Sequence, residues 1–437
     1  MSDPPVSRRD RLPPLHLPLA YFCLAHLCLA AALCLLAVDP AGFAGYFFHA
    51  RAAAAVHLVT LGWISSSILG ALYLVGPVAL RAPMPVAWPD WAAFAGWSVG
   101  VTGVVSHFWL ESFDAMAWAG ILVLLSAARP VLQTARSVAR GSVGMAVKLH
   151  LFLAFANLCL AGTAGILLGF NKTRGFLPGF PLSDTFAHAH LAALGWATMM
   201  VMATGYRLFP MVIPAAMPEK QGSWVTTLLL AASGVLLEAG LVGLIACLVW
   251  ASPLAPSAAG LCAAGIAVFT AWIGWMFAHR RPGPIGAPRI DPPAVQMAVA
   301  GLCLVGAVAI GLWLSFQDAR ENETALRVAT VYGTLGLLGF LSQLIIAMQG
   351  RLVPLVAAIR AAAQAAERGE DAPPPHELAD RGLQLAVCLL WLVGVPLLAS
   401  GLPLENPTLI GAGAWALLAS VPVHATGLAL AVTRGSR

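Results

Sequence analysis

Long apolar runs alternate with short polar loops along the whole chain, and most of the runs exceed the roughly 18 residues that a bilayer crossing needs. A chain in lipid must satisfy its backbone hydrogen bonds internally, so each run predicts a transmembrane helix. About twelve runs lie near 15–38, 50–79, 91–110, 115–134, 146–170, 185–214, 224–250, 256–279, 294–316, 326–357, 380–401 and 408–432. The pattern predicts an all-α polytopic membrane protein.

Three of the runs share one sequence pattern. Residues 57–63 read HLVTLGW, residues 190–196 read HLAALGW, and residues 334–340 read TLGLLGF. A proline follows each of the three segments, twenty residues after its first position, at Pro77, Pro210 and Pro354. Self-similarity at a regular spacing is typical of repeated architecture. We therefore predict one membrane domain of three pseudo-repeated four-helix units, residues 1–140, 141–285 and 286–437.

Composition agrees with this class and adds an orientation. Apolar residues make up 59% of the chain and charged residues only 10%, whereas a soluble domain is about a quarter charged. If twelve helices cross the membrane, all but five of the 24 Lys and Arg residues fall on one side, among them Arg8, Arg9 and Arg11. The five on the other side are Arg51, Lys172, Arg174, Arg320 and Arg327. The positive-inside rule then predicts that both termini lie in the cytoplasm. We expect a multi-pass protein of a bacterial inner (plasma) membrane, with lipid and no nucleic acid as its surroundings.

Two of the three repeated segments begin with a histidine, at His57 and His190, and His188 precedes the second by two residues. Polar and ionisable residues are rare inside lipid and usually functional there. Two neutral imidazoles from facing helices are typical axial ligands of a low-spin, electron-transferring haem. We predict that His57 and His190 hold one b-type haem. His188 points to another face of its helix, and whether it holds a second haem, binds a propionate or caps the helix stays open.

The expected haem would need cations for its propionates near the outer surface. Arg51, Lys172 and Arg174 are three of the few basic residues there. Small residues, Gly62 and Gly195 among them, are expected to let a flat ring approach the backbone. Other intramembrane polar residues carry weaker signals, as metal ligands, parts of a proton path or partners in local hydrogen bonds: His26, His107, Glu238 and His424.

With these residues in view, the chain resembles the catalytic subunit I of the haem-copper oxidase superfamily, including its nitric-oxide reductase branch. The resemblance covers nearly the whole chain, since that family has twelve helices in three four-helix arcs. It implies a low-spin haem ligand at His57 on the second helix. A His-x-His pair, carried by the family's tenth helix, stands here at His188 and His190 on the sixth, which implies a low-spin ligand at His190 and a high-spin ligand at His188. The chain is also similar, less closely, to NnrS-type membrane haem proteins of the nitric-oxide response.

Two departures bear on activity. The tenth helix here has Tyr332 and Thr334 where the family's His-x-His pair is expected, and the chain has no adjacent His-His pair for a copper or non-haem iron site. The resemblance therefore implies a haem protein without copper, which transfers electrons, or binds or reduces O2 or NO, together with an electron donor or other membrane subunits. It is not expected to be a complete oxidase on its own, and whether it is an oxidoreductase at all stays open.

Two alternatives from other classes remain. A cofactor-free transporter or scaffold could use the same histidines for hydrogen bonds or a proton path. A copper-handling protein is the other, because Met199, Met200 and Met202 lie close to the histidines in sequence.

Overall fold

The computed structural model describes residues 13–217, 223–281, 291–317, 322–369, 371 and 375–436. Twelve long helices make up almost all of this part of the chain. They are α1 (His16–Val38), α2 (Ala50–Val78), α3 (Trp88–Trp109), α4 (Phe113–Arg140), α5 (Met145–Arg174), α6 (Pro181–Met211), α7 (Trp224–Trp250), α8 (Ala255–Ala278), α9 (Pro292–Ser315), α10 (Glu323–Arg368), α11 (Arg381–Gly401) and α12 (Pro407–Gly435). Arg8, Arg9, Arg11 and Arg320, and the predicted boundary between residues 285 and 286, lie outside the described residues.

Within the described ranges, eleven of these helices are long and apolar enough to cross a membrane. The exception is α3, which has 22 residues but carries Asp90 and His107. The described residues contain no strand beyond an isolated bridge between Ala215 and Arg280. The prediction of an all-α, multi-pass membrane protein is confirmed.

The helices form a closed ring around three central ones. Neighbours in sequence pack as hairpins, and the largest contacts of this kind join α3 to α4, α7 to α8 and α11 to α12. The ring continues from α4 to α5 and from α8 to α9, and it closes where α12 packs against α1. Inside it, α2, α6 and α10 contact one another. These central helices carry the three repeated sequence segments.

Each central helix contains an eight-residue π-helical segment, at Leu58–Ser65, Leu191–Thr198 and Leu335–Ser342. Each segment starts one residue after the first position of its repeated sequence. In the wider turn a side-chain hydroxyl can donate a hydrogen bond to the carbonyl five residues earlier. Thr198 donates in this way to Ala193 (2.8 Å), and Ser342 donates to Leu337 (2.6 Å). π-Helical turns are rare and are often found at functional sites.

A buried ion pair joins helices α2, α3 and α4. The Asp90 carboxylate on α3 is fully buried, and it accepts hydrogen bonds from Nε of Arg129 (2.9 Å) and from the Tyr73 hydroxyl (2.9 Å). The Ala87 N–H also donates to it, at 2.8 Å. Three partners therefore compensate a charge that would otherwise be costly to bury, and they fix α2, α3 and α4 to one another.

Candidate histidine site

The structure brings His57 of α2 next to His188 of α6. The centroids of the two imidazole rings lie 6.3 Å apart, and the ring planes are inclined by only 15°. The His57 ring also contacts Phe108, at 4.7 Å between centroids. The two histidines thus line one gap between α2 and α6, at the level where both π-helical segments begin.

Both rings are oriented by backbone carbonyls. Nδ1 of His57 donates to the Ala53 carbonyl at 2.8 Å, and Nδ1 of His188 donates to the Ala161 carbonyl of α5 at 3.0 Å. Because a carbonyl oxygen only accepts, Nδ1 must carry the proton, which leaves Nε2 of each neutral ring as an acceptor. No described residue hydrogen-bonds to either Nε2. A metal-ligating histidine characteristically donates its second nitrogen to a carbonyl or carboxylate in this way.

The centroid spacing of the two rings equals that of two imidazoles bound to one metal ion. An imidazole nitrogen bonds a transition metal at roughly 2.0–2.1 Å and lies about 1.1 Å from its own ring centroid. Two axial imidazoles on one ion therefore have centroids about 6.2 Å apart, which matches the distance between His57 and His188. The distance between the two rings is therefore the one expected for two imidazole ligands of a low-spin haem.

His190 lies in a different gap, between α6 and α10. Its Nδ1 donates to the Phe186 carbonyl at 2.7 Å, and its Nε2 accepts a hydrogen bond from the Tyr332 hydroxyl at 3.3 Å. The two rings are 5.8 Å apart between centroids. This second pair therefore joins one imidazole to one phenol, where the first joins two imidazoles.

The observed pairs differ from the expected pair of His57 with His190, and the packing order explains why. His188 and His190 are two residues apart, so they point to different faces of α6. His188 faces α2, and His190 faces α10. His57 is the first position of the first repeated segment, and it meets His188, two positions before the second segment begins. In the same way His190, the first position of the second segment, meets Tyr332, two positions before the third segment begins. The remaining combination of these two positions is Thr334 on α10 with Ala55 on α2, and neither residue has an imidazole.

Basic and aromatic side chains gather beyond the outer end of the His57 gap. Arg51 lies 5.1 Å above the Trp109 ring and 4.0 Å from Asp39. Arg174 pairs with Asp114 at 3.6 Å. The expected cations are therefore near one another, although two of them already have acidic partners.

Lys172 is the third cation of this group. It lies 5.0 Å from the centroid of the Phe48 ring, and it has no ion-pair partner among the residues that the structure describes. The adjacent Phe47 packs against Phe186 of α6 at 6.3 Å. The loop before α2 therefore covers the outer side of the gap between α2 and α6.

The glycines of the repeated segments have another role than the expected one. A Cβ on Gly62 would lie 2.4 Å from Cβ of Cys28 on α1, and a Cβ on Gly195 would lie 2.6 Å from the Asn157 side chain on α5. Both glycines therefore allow close packing against neighbouring helices. The residue that makes room at the histidines is Gly165 of α5, where an added Cβ would lie 2.9 Å from Cε1 of His188.

A second buried polar cluster joins α1, α2, α10 and α12. The rings of His26 and His424 stack at 5.3 Å. Nε2 of His424 donates to Oε1 of Gln349 at 3.2 Å, and Nε2 of Gln349 donates to the Ser67 hydroxyl at 3.1 Å. The sequence singles out both histidines, but their positions at opposite ends of the chain gave no signal that they meet.

The remaining intramembrane candidates have local partners. Glu238 accepts a hydrogen bond from Asn157 at 2.7 Å, and Nδ1 of His107 donates to the Gly103 carbonyl at 2.7 Å. No group of three or more His, Cys, Asp or Glu residues within the described ranges is placed to hold a metal ion. The histidine pairs are therefore the strongest candidates for chemistry.

Fold and site together define an all-helical, multi-pass membrane protein with paired histidines between its central helices. The chain matches none of the protein-family models and none of the curated proteins with which it was compared.

Proposed function

We propose that the protein is a haem-binding integral membrane protein related to subunit I of the haem-copper oxidases. His57 and His188 are the axial ligands of a b-type haem in this proposal. The observation that carries it is the spacing of the two imidazoles, 6.3 Å between centroids, with both Nδ1 atoms committed to backbone carbonyls. The pairing replaces the one expected from the sequence, and His57 keeps its role.

The number of ligands favours haem over a bare metal ion. A structural zinc site takes four protein ligands and a catalytic one three, whereas no third His, Cys, Asp or Glu joins these two histidines in the described part of the chain. A porphyrin supplies four nitrogens itself, so two axial histidines complete the coordination. When bound, such a group supplies one-electron transfer.

The protein's own residues hold and orient that group. The Ala53 and Ala161 carbonyls would fix the tautomer of the two ligands and leave both Nε2 atoms as the coordinating atoms. Arg51, Lys172 and Arg174 neutralise the propionates at the outer surface, and the loop around Phe47 and Phe48 excludes water. Of the three cations, Lys172 is the one without an acidic partner among the described residues.

We also propose that the chain consists of three repeated units of four helices. The π-helical segments support this, because they recur at the offsets of the sequence repeat, 133 residues from Leu58 to Leu191 and 144 residues from Leu191 to Leu335. In the same scheme His190 and Tyr332 form a second, unequal site in the next gap. It would take a haem with one strong axial ligand, the type of site that binds a small gas such as O2 or NO.

The location proposed is a bacterial inner membrane with both termini in the cytoplasm, and the donor of electrons is another membrane or peripheral protein. The cations on the expected outer side support this orientation. Lys172, Arg174 and Arg51 lie near one another around the loop before α2, whereas the other described basic loops, such as the one with Arg140 and Lys148, lie at the other ends of the helices.

Spectra of the purified protein test the haem. Reduced-minus-oxidised spectra should show low-spin b-type bands, and His57→Ala and His188→Ala should each abolish them. His190→Ala and His279→Ala should leave them, the second because His279 is exposed and its recorded contacts, a stacked ring and an Nδ1–H donated to the carbonyl, are both to Trp275. Absence of haem bands in the wild-type protein, or unchanged bands in both ligand variants, would contradict the proposal.

Copper handling is the second candidate, because two imidazoles without a third ligand also suit Cu(I). Metal analysis by mass spectrometry distinguishes the two. Iron that is lost in His57→Ala and His188→Ala supports haem, and copper lost in the same variants supports copper handling. Protein that contains neither metal supports the transporter or scaffold.

A further inference from the structure

A partly open cavity lies between the three central helices, on the inner side of their π-helical segments, and its volume is about 680 Å³ including the space at its opening. Its walls come from the same five positions of each helix. On α2 these are Ser67, Ile68, Ala71, Leu72 and Val75; on α6 they are Met200, Val201, Thr204, Gly205 and Leu208; on α10 they are Leu344, Ile345, Met348, Gln349 and Leu352. The offsets are again 133 and 144 residues. We call this cavity the axial chamber.

The chamber wall is almost entirely apolar and carries no charged side chain. Its three polar side chains already have partners. The Thr204 hydroxyl donates to the Met200 carbonyl at 2.9 Å, and the Ser67 hydroxyl accepts from Gln349, which in turn is bonded to His424. A buried water needs two to four polar partners. The wall therefore disfavours water and ions.

The position of the chamber limits what else can fill it. The central helices are enclosed by the other nine, and Phe22 of α1 and Phe209 of α6 complete the wall. Small, neutral, apolar molecules diffuse through packed helices and collect in dry apolar cavities, as benzene and xenon do in an engineered one.

We infer that the axial chamber is a binding site for small apolar gases of the O2 and NO class. Ser67 lies ten residues after His57 on α2, so the chamber begins about 15 Å along the helix from the histidines. Only the use of the chamber as a gas supply for the proposed site at His190, which lies ten residues before Met200 on α6, rests on the proposed function. The chamber itself binds gas whether or not the protein holds haem.

Xenon binding tests the chamber without reference to haem. In the full-length protein with 13C-methyl-labelled methionines, rising xenon pressure should shift the signals of Met200 and Met348 saturably. Met116 and Met297 do not line the chamber and are internal controls. Equal shifts at all four methionines indicate xenon dissolved in detergent and overturn the inference. So does the absence of shifts, which is the result expected if a lipid chain or ordered water fills the chamber.

A variant that fills the chamber provides the second arm. Ala71→Phe should reduce the xenon-induced shifts of Met200 and Met348 at least fivefold, whereas Ala95→Phe, on the exposed face of α3, should leave them unchanged. If Ala71→Phe does not fold, Ala71→Leu takes its place, with a smaller reduction expected. Shifts that persist in a folded filling variant overturn the inference.

The link to the histidines has its own readout. If the protein holds haem, the readout is the fraction of photolysed CO that rebinds before it escapes from the protein. The Ala71 variant should lower this fraction at least twofold. Failure of this arm alone, with the xenon results intact, removes the gas supply and keeps the chamber. Absence of haem removes the proposed function and leaves the xenon result standing.

Discussion

Gly165 of α5 lies directly against His188 of α6, so close that a Cβ at this glycine would be 2.9 Å from Cε1 of the imidazole. The ring is held from the same helix, because the Ala161 carbonyl accepts its Nδ1–H. One turn of α5 thus supplies both the carbonyl that orients the ring and the space that the ring occupies.

Replacing that glycine by alanine should displace the ligand without touching its chemistry. In Gly165→Ala the new methyl group pushes His188 away from His57. If the protein holds the proposed haem, its low-spin bands should fall to less than half of their wild-type intensity. The measurement is the reduced-minus-oxidised spectrum per mole of protein.

Gly260→Ala on α8 is the matched control, since no atom lies within 4 Å of a Cβ there. It should keep the full spectrum and gain up to about 1 kcal/mol of stability from the higher helix propensity of alanine. A normal haem spectrum in Gly165→Ala would show that His188 is not held where the structure places it.

The buried Asp90 cluster gives a prediction about stability. Arg129→Met leaves the Asp90 carboxylate buried without its cation, which typically costs about 3–5 kcal/mol. Asp90→Asn keeps a group that can accept from Tyr73 and leaves Arg129, whose side chain is 40% exposed, in contact with solvent. We therefore expect the larger drop in Tm for Arg129→Met, measured by thermal unfolding in detergent. The reverse order would mean that the pair is compensated in another way.

The helices were predictable because lipid leaves a hydrophobic chain few alternatives. Helix ends outside the apolar region could not be predicted in this way. For example, α10 was expected near 326–357 and extends from Glu323 to Arg368. Its last turns carry alanines that pack against the short helical turn Pro375–Leu378 and the end of α12. Hydropathy does not reveal such a segment, since its average is low although one face is buried.

The candidate site was predictable as a set of residues and not as a set of pairs. The sequence identifies His57, His188 and His190 because each interrupts an apolar run. Which two rings meet depends on which helix lies on each side of α6, and that order is fixed by contacts far apart in sequence. Tyr332 illustrates the point, because the sequence offered it as a missing histidine and the structure makes it the partner of His190.

Asp380, which precedes α11 outside the membrane-spanning segment, gives a prediction about pH. Its carboxylate accepts from the Leu383 N–H at 3.2 Å and from Arg434 at 3.2 Å, and first the backbone N–H and then Arg434 hold the pKa of this group below its usual range. A lowered pKa contributes stability that is fully present above the ordinary value of about 3.9 and is lost as the pH falls through the folded-state value.

Asp380→Asn should therefore reduce the loss of Tm between pH 5 and pH 3, while the amide still caps the helix. The effect should be no more than about 1 kcal/mol, because the side chain is partly exposed. Asn406→Ala removes an uncharged cap from α12 and should lower Tm equally at every pH. If Tm falls between pH 5 and pH 3 as steeply in Asp380→Asn as in the wild-type protein, the lowered pKa of Asp380 does not contribute to stability.

The unequal pair of His190 and Tyr332 leads to a prediction about gas binding. A haem between His57 and His188 has both axial positions filled, so CO should bind only where a single imidazole is the ligand. His190→Ala should abolish the CO difference spectrum and leave the low-spin bands intact. Tyr332→Phe should keep CO binding, because the imidazole remains. Iron at Nε2 of His190 would release the Tyr332 hydroxyl to donate to bound CO, so Tyr332→Phe should also raise the CO dissociation rate about 2- to 10-fold, the effect of one hydrogen bond of about 0.5–1.5 kcal/mol. CO binding that survives His190→Ala at full amplitude would limit the protein to one haem and leave His190 and Tyr332 as a hydrogen-bonded contact between α6 and α10.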